Sequence, residues 1–409
     1  MTEGQKSGFS SLAQSHQHYT QEAPLKLIED TKSLKIGVPK ERDPEEKRIS
    51  FTPNAVALLV NNGHQVTIES GAGVKANYPD RQYSEAGAQI VYTTKEAYQN
   101  ELVVKIDPPS VDEIKYMPNN SLLISALQLP KLTTEHIKAL NKKQITAFGF
   151  ELIEDKGGSK PIVRSMSEIA GCCIISIAAE HLSNLNDGMG IILGGITGNP
   201  PCNVVVIGAG TIAEYVTRAA RGLGATVKVF DKHHYKLRRL QNVLGEHIYT
   251  SIIEPTVLGN ELENADIVVG ALRSEEEGTG YCVVTEEMVY NMKHGAVIID
   301  ANISEGGCFE TSQLTSHKDP VFEVNGVKHY CVPNIPSRVS RTASRAFSNL
   351  LTPMILKIGE SNNMIDMIHQ SPWLSKGIYT YHGCLTKTGL SKRFRIPCKH
   401  IDLLLAAGL

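Results

Sequence analysis

Short apolar runs and longer amphipathic stretches alternate along most of the chain. In the first half, Leu34–Val38, Gln65–Glu69, Glu101–Ile106, Ser121–Leu127 and Ile145–Glu151 have the length and apolar character of strands. Asn54–Asn62 and Thr134–Lys142 carry apolar residues at helical spacing, with Thr133 or Thr134 placed to cap the second helix. Ser167–Asn184 reads as a longer helix, apolar on most sides through Ile169, Ile174, Ile175, Ile177 and Ala178, hence buried or crossing between domains. Gly188–Pro201 is Gly-rich, ends Asn-Pro-Pro, and breaks the pattern. The alternation then restarts, with strands at Asn203–Ile207, Thr226–Phe230, Ile248–Thr250, Asp266–Ala271, Ala296–Asp300 and His329–Val332. Thr211–Leu223 is helical, and Ser344–Gly359 forms a last helix that returns to the first half. This order predicts parallel βαβ units, with one domain inserted in another by a long helix on each side.

The second half holds a motif with a chemical consequence. Val204–Ile207 is an apolar, β-branched run followed by Gly208-Ala209-Gly210-Thr211-Ile212-Ala213, a G-x-G-x-x-A sequence. The next helix carries Ile212, Val216, Ala219, Ala220 and Leu223 on one face, and the following strand ends in Asp231. Gly208 permits the tight turn, Gly210 lets the backbone approach a pyrophosphate, and Ala213 keeps the helix close to its strand. The helix N-terminus, at Ala209 to Thr211, offers unpaired N–H groups to phosphate. Asp231 suits the ribose hydroxyls and repels a 2′-phosphate, so NAD is the expected cofactor. Lys232, His233 and His234 soften that preference.

Composition narrows the possibilities. The 409 residues suffice for two domains, and 41% hydrophobic with 21% charged residues is the profile of a globular protein. A net charge of −2, spread along the chain, gives no electrostatic case for nucleic acid or a membrane surface. No apolar run is read as long enough to span a bilayer. Residues 1–33 read as a loose polar tail. None of the eight cysteines forms a C-x-x-C pair, so buried free thiols, among them Cys172 and Cys173 in a helix core, are expected rather than zinc or disulfides. No metal site is predicted. His64, His317 and His329 read as packing or surface residues, and Arg338, Arg341 and Arg345 as a solvated face.

Several segments together resemble the alanine dehydrogenase family, which includes the NAD-binding subunit of proton-translocating transhydrogenase. They are Ile36-Gly-Val-Pro-Lys-Glu41, Arg48-Ile-Ser-Phe-Thr-Pro53, Asn62-Gly-His64, Glu69-Ser-Gly-Ala-Gly73, Met166-Ser-Glu-Ile-Ala-Gly171, Val205-Val-Ile-Gly-Ala-Gly210, Gly295-Ala-Val-Ile-Ile-Asp300, Gly306-Gly-Cys-Phe-Glu310 and Tyr330-Cys-Val-Pro-Asn334. The last two bring the chain nearest the alanine dehydrogenase branch. The resemblance implies two Rossmann-like, doubly wound parallel-sheet domains with a cleft between them. Residues 34–165 and 336–409 would form the substrate domain, and 166–335 the NAD domain. It further implies a cytoplasmic homo-oligomer, hexamer or dimer, that oxidises L-alanine reversibly. Arg48 matches the arginine that grips the substrate carboxylate. Glu151 and Met166 match pocket positions. Ser167, Asp231 and Asn334 match cofactor-side positions, and Lys236 is placed with them.

Three positions depart from that family. Its Lys-x-Lys-Glu-Pro stretch is here Lys105-Ile-Asp107-Pro-Pro, so the substrate-binding lysine is Asp107. Its catalytic histidine is Gln128, and the aspartate two residues before Gly306-Gly307 is Ser304. Gln128 can hydrogen-bond a carbonyl but cannot titrate. Two like charges about 4 Å apart repel by ~4 kcal/mol at an effective dielectric near 20. Asp107 therefore either pairs with Arg48, blocking ordinary alanine binding, or meets a substrate with an extra positive group. It could also act as an acid–base residue, or be a solvated strand-end carboxylate. Lys105, two residues earlier, is a replacement cation or, more simply, a surface lysine. Three functions follow: an NAD-dependent amino-acid dehydrogenase of the alanine type, an altered member acting on another amino acid or an opine, and a non-catalytic NAD(H)-binding protein. Transhydrogenase activity is disfavoured because it would need membrane subunits.

Overall fold

The structure is a computed structural model that describes residues 33–273, 282–361, 368 and 371–406. The tail expected at the N-terminus lies almost wholly outside the described residues.

Strands β1 (Lys35–Val38), β2 (Gln65–Glu69), β3 (Gln89–Val91), β4 (Leu102–Val104), β5 (Leu122–Ser125) and β6 (Thr146–Gly149) come first. Then follow β7 (Asn203–Ile207), β8 (Thr226–Asp231), β9 (Tyr249–Ile252), β10 (Ile267–Gly270), β11 (Val297–Asp300), β12 (Val321–Val324) and β13 (Val327–Tyr330), and finally β14 (Ile378–Tyr381) and β15 (Cys384–Leu385). They form two sheets, ordered β15-β14-β6-β5-β4-β1-β2-β3 and β12-β13-β11-β10-β7-β8-β9. Strands β4, β6, β10 and β11 are buried at every residue. That is the signature of parallel strands covered on both faces. The direction of winding reverses between β1 and β4 in one sheet and between β7 and β10 in the other. At such a switch point a crevice opens beyond the carboxyl ends of the strands.

Both sheets depart from the all-parallel expectation at one edge. β12 runs antiparallel to β13, and β14 to both β6 and β15. The turn Asn325-Gly326 has positive φ at both residues (49° and 74°), as a two-residue hairpin with strand-like twist requires. The Asn-Gly pair between apolar residues was the available sign of that hairpin.

Five helices place the site: α1 (Pro53–Asn61), α2 (Pro161–Leu182), α3 (Thr211–Gly222), α4 (His234–Leu244) and α5 (Ser340–Glu360). α2 starts six residues before the predicted Ser167, because Pro161 occupies its first turn, where a missing N–H costs nothing. It is long and apolar enough to cross a membrane, contrary to the reading that no such segment exists. Ile174, Ile175, Ile177 and Ala178 are nevertheless fully buried in the second core, so it serves here as a packed helix. Gly171 lets it lie against α3: an added Cβ would stand 2.6 Å from Tyr215 Cβ and 2.8 Å from the Ile212 carbonyl. Cys172 is exposed and Cys173 only partly buried, so the expectation that both are core residues fails; Cys172 faces away from the packed stripe. Leu223, expected on the inner face of α3, is the C-cap and 57% exposed.

α5 returns to the first sheet as anticipated. Phe347, Leu351 and Ile355 join the core that holds Ile36, Phe51 and Val56. Its serines fix the segment bearing Arg48: Ser344 Oγ accepts from Ile49 N at 2.9 Å and Ser348 Oγ from Thr52 N at 2.7 Å.

Candidate active site

The switch point of the first sheet is bridged by a carboxylate. Glu41 follows β1 and reaches the end of β4, where Oε1 accepts from Ile106 N at 2.6 Å and Oε2 from Asp107 N at 3.3 Å. Lys105 Nζ lies 3.3 Å from Oε2. Burial is the strongest influence on Glu41 and pushes its pKa up, Lys105 opposes it, and Glu46 and Asp107 add to the rise; the result is about 7. Lys105 is not the surface residue expected. It is 2% exposed, because the pairing with Glu41 draws it under the strand ends.

Arg48 is also buried, and its partner is Glu46 rather than Asp107. Nε donates to Glu46 Oε1 at 2.7 Å and Nη2 to Oε2 at 2.6 Å, a two-pronged geometry natural to guanidinium and carboxylate. Burial works to raise the Glu46 pKa, but the charge and hydrogen bonds of Arg48 outweigh it and hold Glu46 below the usual carboxylate range. Nη1 faces the Met166 sulfur at 3.5 Å, which places Met166 beside the arginine.

Asp107 follows β4 and is gripped from the loop after β5. Gln128 Nε2 donates to Asp107 Oδ1, and Lys131 Nζ lies 3.1 Å from Oδ2 and 2.7 Å from Asp43 Oδ2. Gln128 has φ 40°, a left-handed conformation uncommon for a residue with a Cβ. Glu151 braces that turn: its carboxylate accepts from Leu127 N at 2.7 Å and Gln128 N at 3.1 Å. The pocket position is thus one whose carboxylate holds the Gln128 backbone. A cavity of about 210 Å³ opens here, lined by Lys105, Asp107 and Lys131 together with Arg42 and His136.

The second sheet repeats the geometry at β7 and β10. Gly208 has φ 114°, and an added Cβ would stand 2.5 Å from the Ala271 carbonyl, so both the turn and the neighbouring strand require glycine. A Cβ on Gly210 would meet no atom within 4 Å, which leaves the start of α3 approachable. Thr211 opens that helix, and Ala213 is fully buried against the sheet. Asp231 is 1% exposed; Oδ2 accepts from Ala209 N and Oδ1 from His233 N, each at 2.7 Å. It therefore fixes the glycine turn first, leaving each oxygen one further lone pair for a ribose hydroxyl. Lys236 is partly buried in α4, and Arg239, which sequence reading passed over, donates to the Ala209 carbonyl at 3.0 Å. These features fit a dinucleotide: open space at Gly210, a 12-residue helix behind it and a carboxylate at the end of β8.

The loop after β11 is shaped by Asp300, fully buried and accepting from Asn302 N, Cys308 N and Ser312 Oγ. Ser304 lies on the 3₁₀ turn Ile303–Glu305 of this loop and is exposed. Asn334, left-handed at φ 58°, donates from Nδ2 to Glu46 Oε2 at 2.9 Å, and its carbonyl meets His317 Nε2 at 3.3 Å. His317 N donates to Glu45 Oε2 at 2.6 Å. Asn334 and the loop residue His317 of the second unit therefore touch Glu45 and Glu46 of the first. Ser167 is partly buried on α2, next to Met166. His329 is buried against Thr311, a packing role as expected. Arg338 pairs with Glu180 and Arg341 covers the Tyr78 ring, so they do not form one free face.

Known proteins share this fold. The alanine dehydrogenase/PNT N-terminal domain family matches residues 37–170, and the C-terminal domain family residues 174–388. Alanine dehydrogenase 2 of Staphylococcus aureus (strain Mu50) is 34% identical over 373 residues, spanning 90% of this chain and 99% of that protein. A solved L-alanine dehydrogenase superposes with a TM-score of 0.82 at 32% identity, covering 88% of this chain and 99% of the other. A transhydrogenase from Sinorhizobium meliloti shares the fold, with a TM-score of 0.73 at 23% identity over 87% and 99%. With two switch-point crevices joined at Glu46 and Asn334, and with both halves matched almost end to end, the chain belongs to the alanine dehydrogenase/PNT family.

Proposed function

We propose that the protein is an NAD-dependent L-amino-acid dehydrogenase, with alanine the first candidate substrate. Residues 34–165 and 336–409 take the substrate, and 166–335 the cofactor. The reaction converts an amino-acid zwitterion, NAD and water into a 2-oxoacid, ammonium, NADH and one proton. The observation that supports this reading is the junction of the two carboxyl edges: Arg48 and its carboxylate partner stand against Asn334, the strand-end residue of the dinucleotide unit.

NAD, when bound, accepts the hydride released from the substrate α-carbon. The work of the chain is placement and proton handling. The helix start at Gly210 and Thr211 would hold the pyrophosphate, and Asp231, with Lys236 on the next helix, would hold the ribose, favouring NAD over NADP. Arg48 offers Nη1 to the substrate carboxylate while Glu46 holds its other edge. Gln128 and Asp107, joined to each other beside the cavity, would act on the amine or carbonyl, and Ser304 would approach from the second unit. Because Gln128 does not titrate, Glu41 is the buried group suited to exchange a proton near neutral pH. Leu185, Ile192, Ile196 and Leu223 are exposed apolar residues of the second unit, a surface that a homo-oligomer in the cytoplasm would cover.

The test is an NADH titration by fluorescence followed by NAD reduction with a panel of L-amino acids at alkaline pH. Turnover of alanine supports the alanine-type reading. Turnover of another amino acid alone marks an altered specificity. Tight NADH binding with no turnover on any substrate contradicts the enzyme reading.

A further inference from the structure

A substrate carboxylate entering the first crevice needs an accessible cation, and the crevice has few. Arg48 commits two of its donors to Glu46 and is buried. Lys105 is buried against Glu41. Glu41, Glu46, Asp43 and Asp107 are all carboxyl groups at the same strand ends, so the ground there is acidic. Arg42 also lines the cavity and is 50% exposed, but its guanidinium is turned to Glu69 and Thr94. Lys131 stands beside Asp107 instead. Its side chain is 50% exposed and it lines the cavity beside Asp107.

Local structure brings it there. Lys131 N and Leu132 N both donate to the Gln128 carbonyl, closing a tight turn after β5. Glu151 fixes the start of that turn through the N–H groups of Leu127 and Gln128. Asp107 takes the Gln128 amide on one oxygen and the Lys131 ammonium on the other. Asp43 accepts a second ammonium proton at 2.7 Å, and a lysine ammonium has three. Asp107 and Asp43 thus act as a rest for Lys131, which keeps one N–H for a ligand and can be drawn off its rest by an anion.

We propose that Lys131 is a second substrate-carboxylate-binding cation of this chain beside Arg48, held ready by Asp107, so that Asp107 excludes no acidic substrate but presents its partner. The inference rests on the amino-acid dehydrogenase reading and assigns its specificity for 2-oxoacids and α-amino acids to a residue of the β5 loop. Lys131 is half exposed, so replacing it removes charge without opening a core.

The experiment uses the full chain as its NADH complex, with pyruvate and oxamate as probes. Binding is followed by the change in NADH fluorescence, and turnover by NADH oxidation with pyruvate and ammonium. Lys131→Met is expected to raise the pyruvate KM and the oxamate Kd at least tenfold, with kcat within about threefold and the NADH Kd unchanged. Lys131→Arg is expected to restore most of the affinity, while the urea midpoint of Lys131→Met stays close to the parent's, which a merely structural role would not predict. Oxamate affinity in Lys131→Met within twofold of the parent, the parent itself binding oxamate, would overturn this inference alone. A parent chain that binds NADH but neither oxoacid probe, and turns over no amino acid, would overturn both the functional reading and this inference.

Discussion

The Asn334 amide donates to Glu46 Oε2 at 2.9 Å, and the same carboxylate grips Arg48 with both oxygens. One buried acid therefore couples Asn334 of the second unit to Arg48 of the first crevice. Asn334→Gly removes the amide while keeping the left-handed backbone that glycine adopts freely. It is expected to leave Arg48 paired, cost little stability, and weaken oxoacid binding in the NADH complex more than NADH binding itself. Equal loss of both affinities by fluorescence titration would show that Asn334 acts on the cofactor alone.

Glu46→Ala is a harsher change. It leaves a buried guanidinium without its partner, a loss of about 3–5 kcal/mol. Urea denaturation should show a lower midpoint at unchanged m-value. A change under 1 kcal/mol would mean that Arg48 finds another carboxylate, with Asp107 the first candidate.

Glu41 makes stability depend on pH in a defined direction. Its pKa rises from 4.5 in the unfolded chain to about 7 in the fold, mainly through burial. Between those values the folded state holds a proton that the unfolded state has released. The contribution of Glu41 is then full below pH 4.5 and is lost as pH climbs to about 7, a loss of about 3 kcal/mol in all. The measurement is the urea midpoint of parent and Glu41→Gln from pH 5 to 8. The parent should lose stability relative to the variant as pH rises through this window, and parallel profiles would contradict the assignment.

Much of this architecture was readable from local pattern. β2, β7 and the helix Thr134–Lys142 fall where periodicity placed them, because their apolar faces and caps lie within a few residues. The Gly208–Asp231 unit was readable for the same reason: strand, turn and helix are contiguous. The pairings in the first crevice were not. Glu41 meets Ile106 across 65 positions and Gln128 meets Asp107 across 21, and parallel register between distant strands has no local sign. Lys105 looked like a surface lysine because its partner was invisible. The partner of Arg48 was hidden too: it stands two residues away at Glu46, and side-chain direction in an irregular loop has no period.

The two glycines of the phosphate turn give a paired prediction. Gly208→Ala places a Cβ 2.5 Å from the Ala271 carbonyl at φ 114°, so it should cost more than about 2 kcal/mol and lower the thermal midpoint. Gly210→Ala meets no protein atom within 4 Å at φ −84° and should fold as the parent does. Its NADH affinity should nonetheless fall at least tenfold, because a methyl group would stand where the pyrophosphate approaches. Unchanged NADH binding in Gly210→Ala would place the cofactor elsewhere.

Glu151→Ala should separate positioning from cofactor binding. It leaves the N–H groups of Leu127 and Gln128 without their acceptor, a cost of about 1–3 kcal/mol for each that stays buried. Turnover should fall with the displaced Gln128 turn while the NADH Kd holds. Glu151→Gln, which keeps one acceptor oxygen, should fall between parent and Ala, and an NADH Kd that moves with kcat would contradict a positioning role.

The most direct measurement is the fate of the substrate α-hydrogen. L-alanine deuterated at C2, and then the other amino acids so labelled, would be incubated with the full chain and NAD, and the cofactor analysed by mass spectrometry. Deuterium in the reduced nicotinamide, matched mole for mole by oxoacid and ammonium, is the result predicted for an amino-acid dehydrogenase. NADH binding with no label transfer from any of them would contradict it.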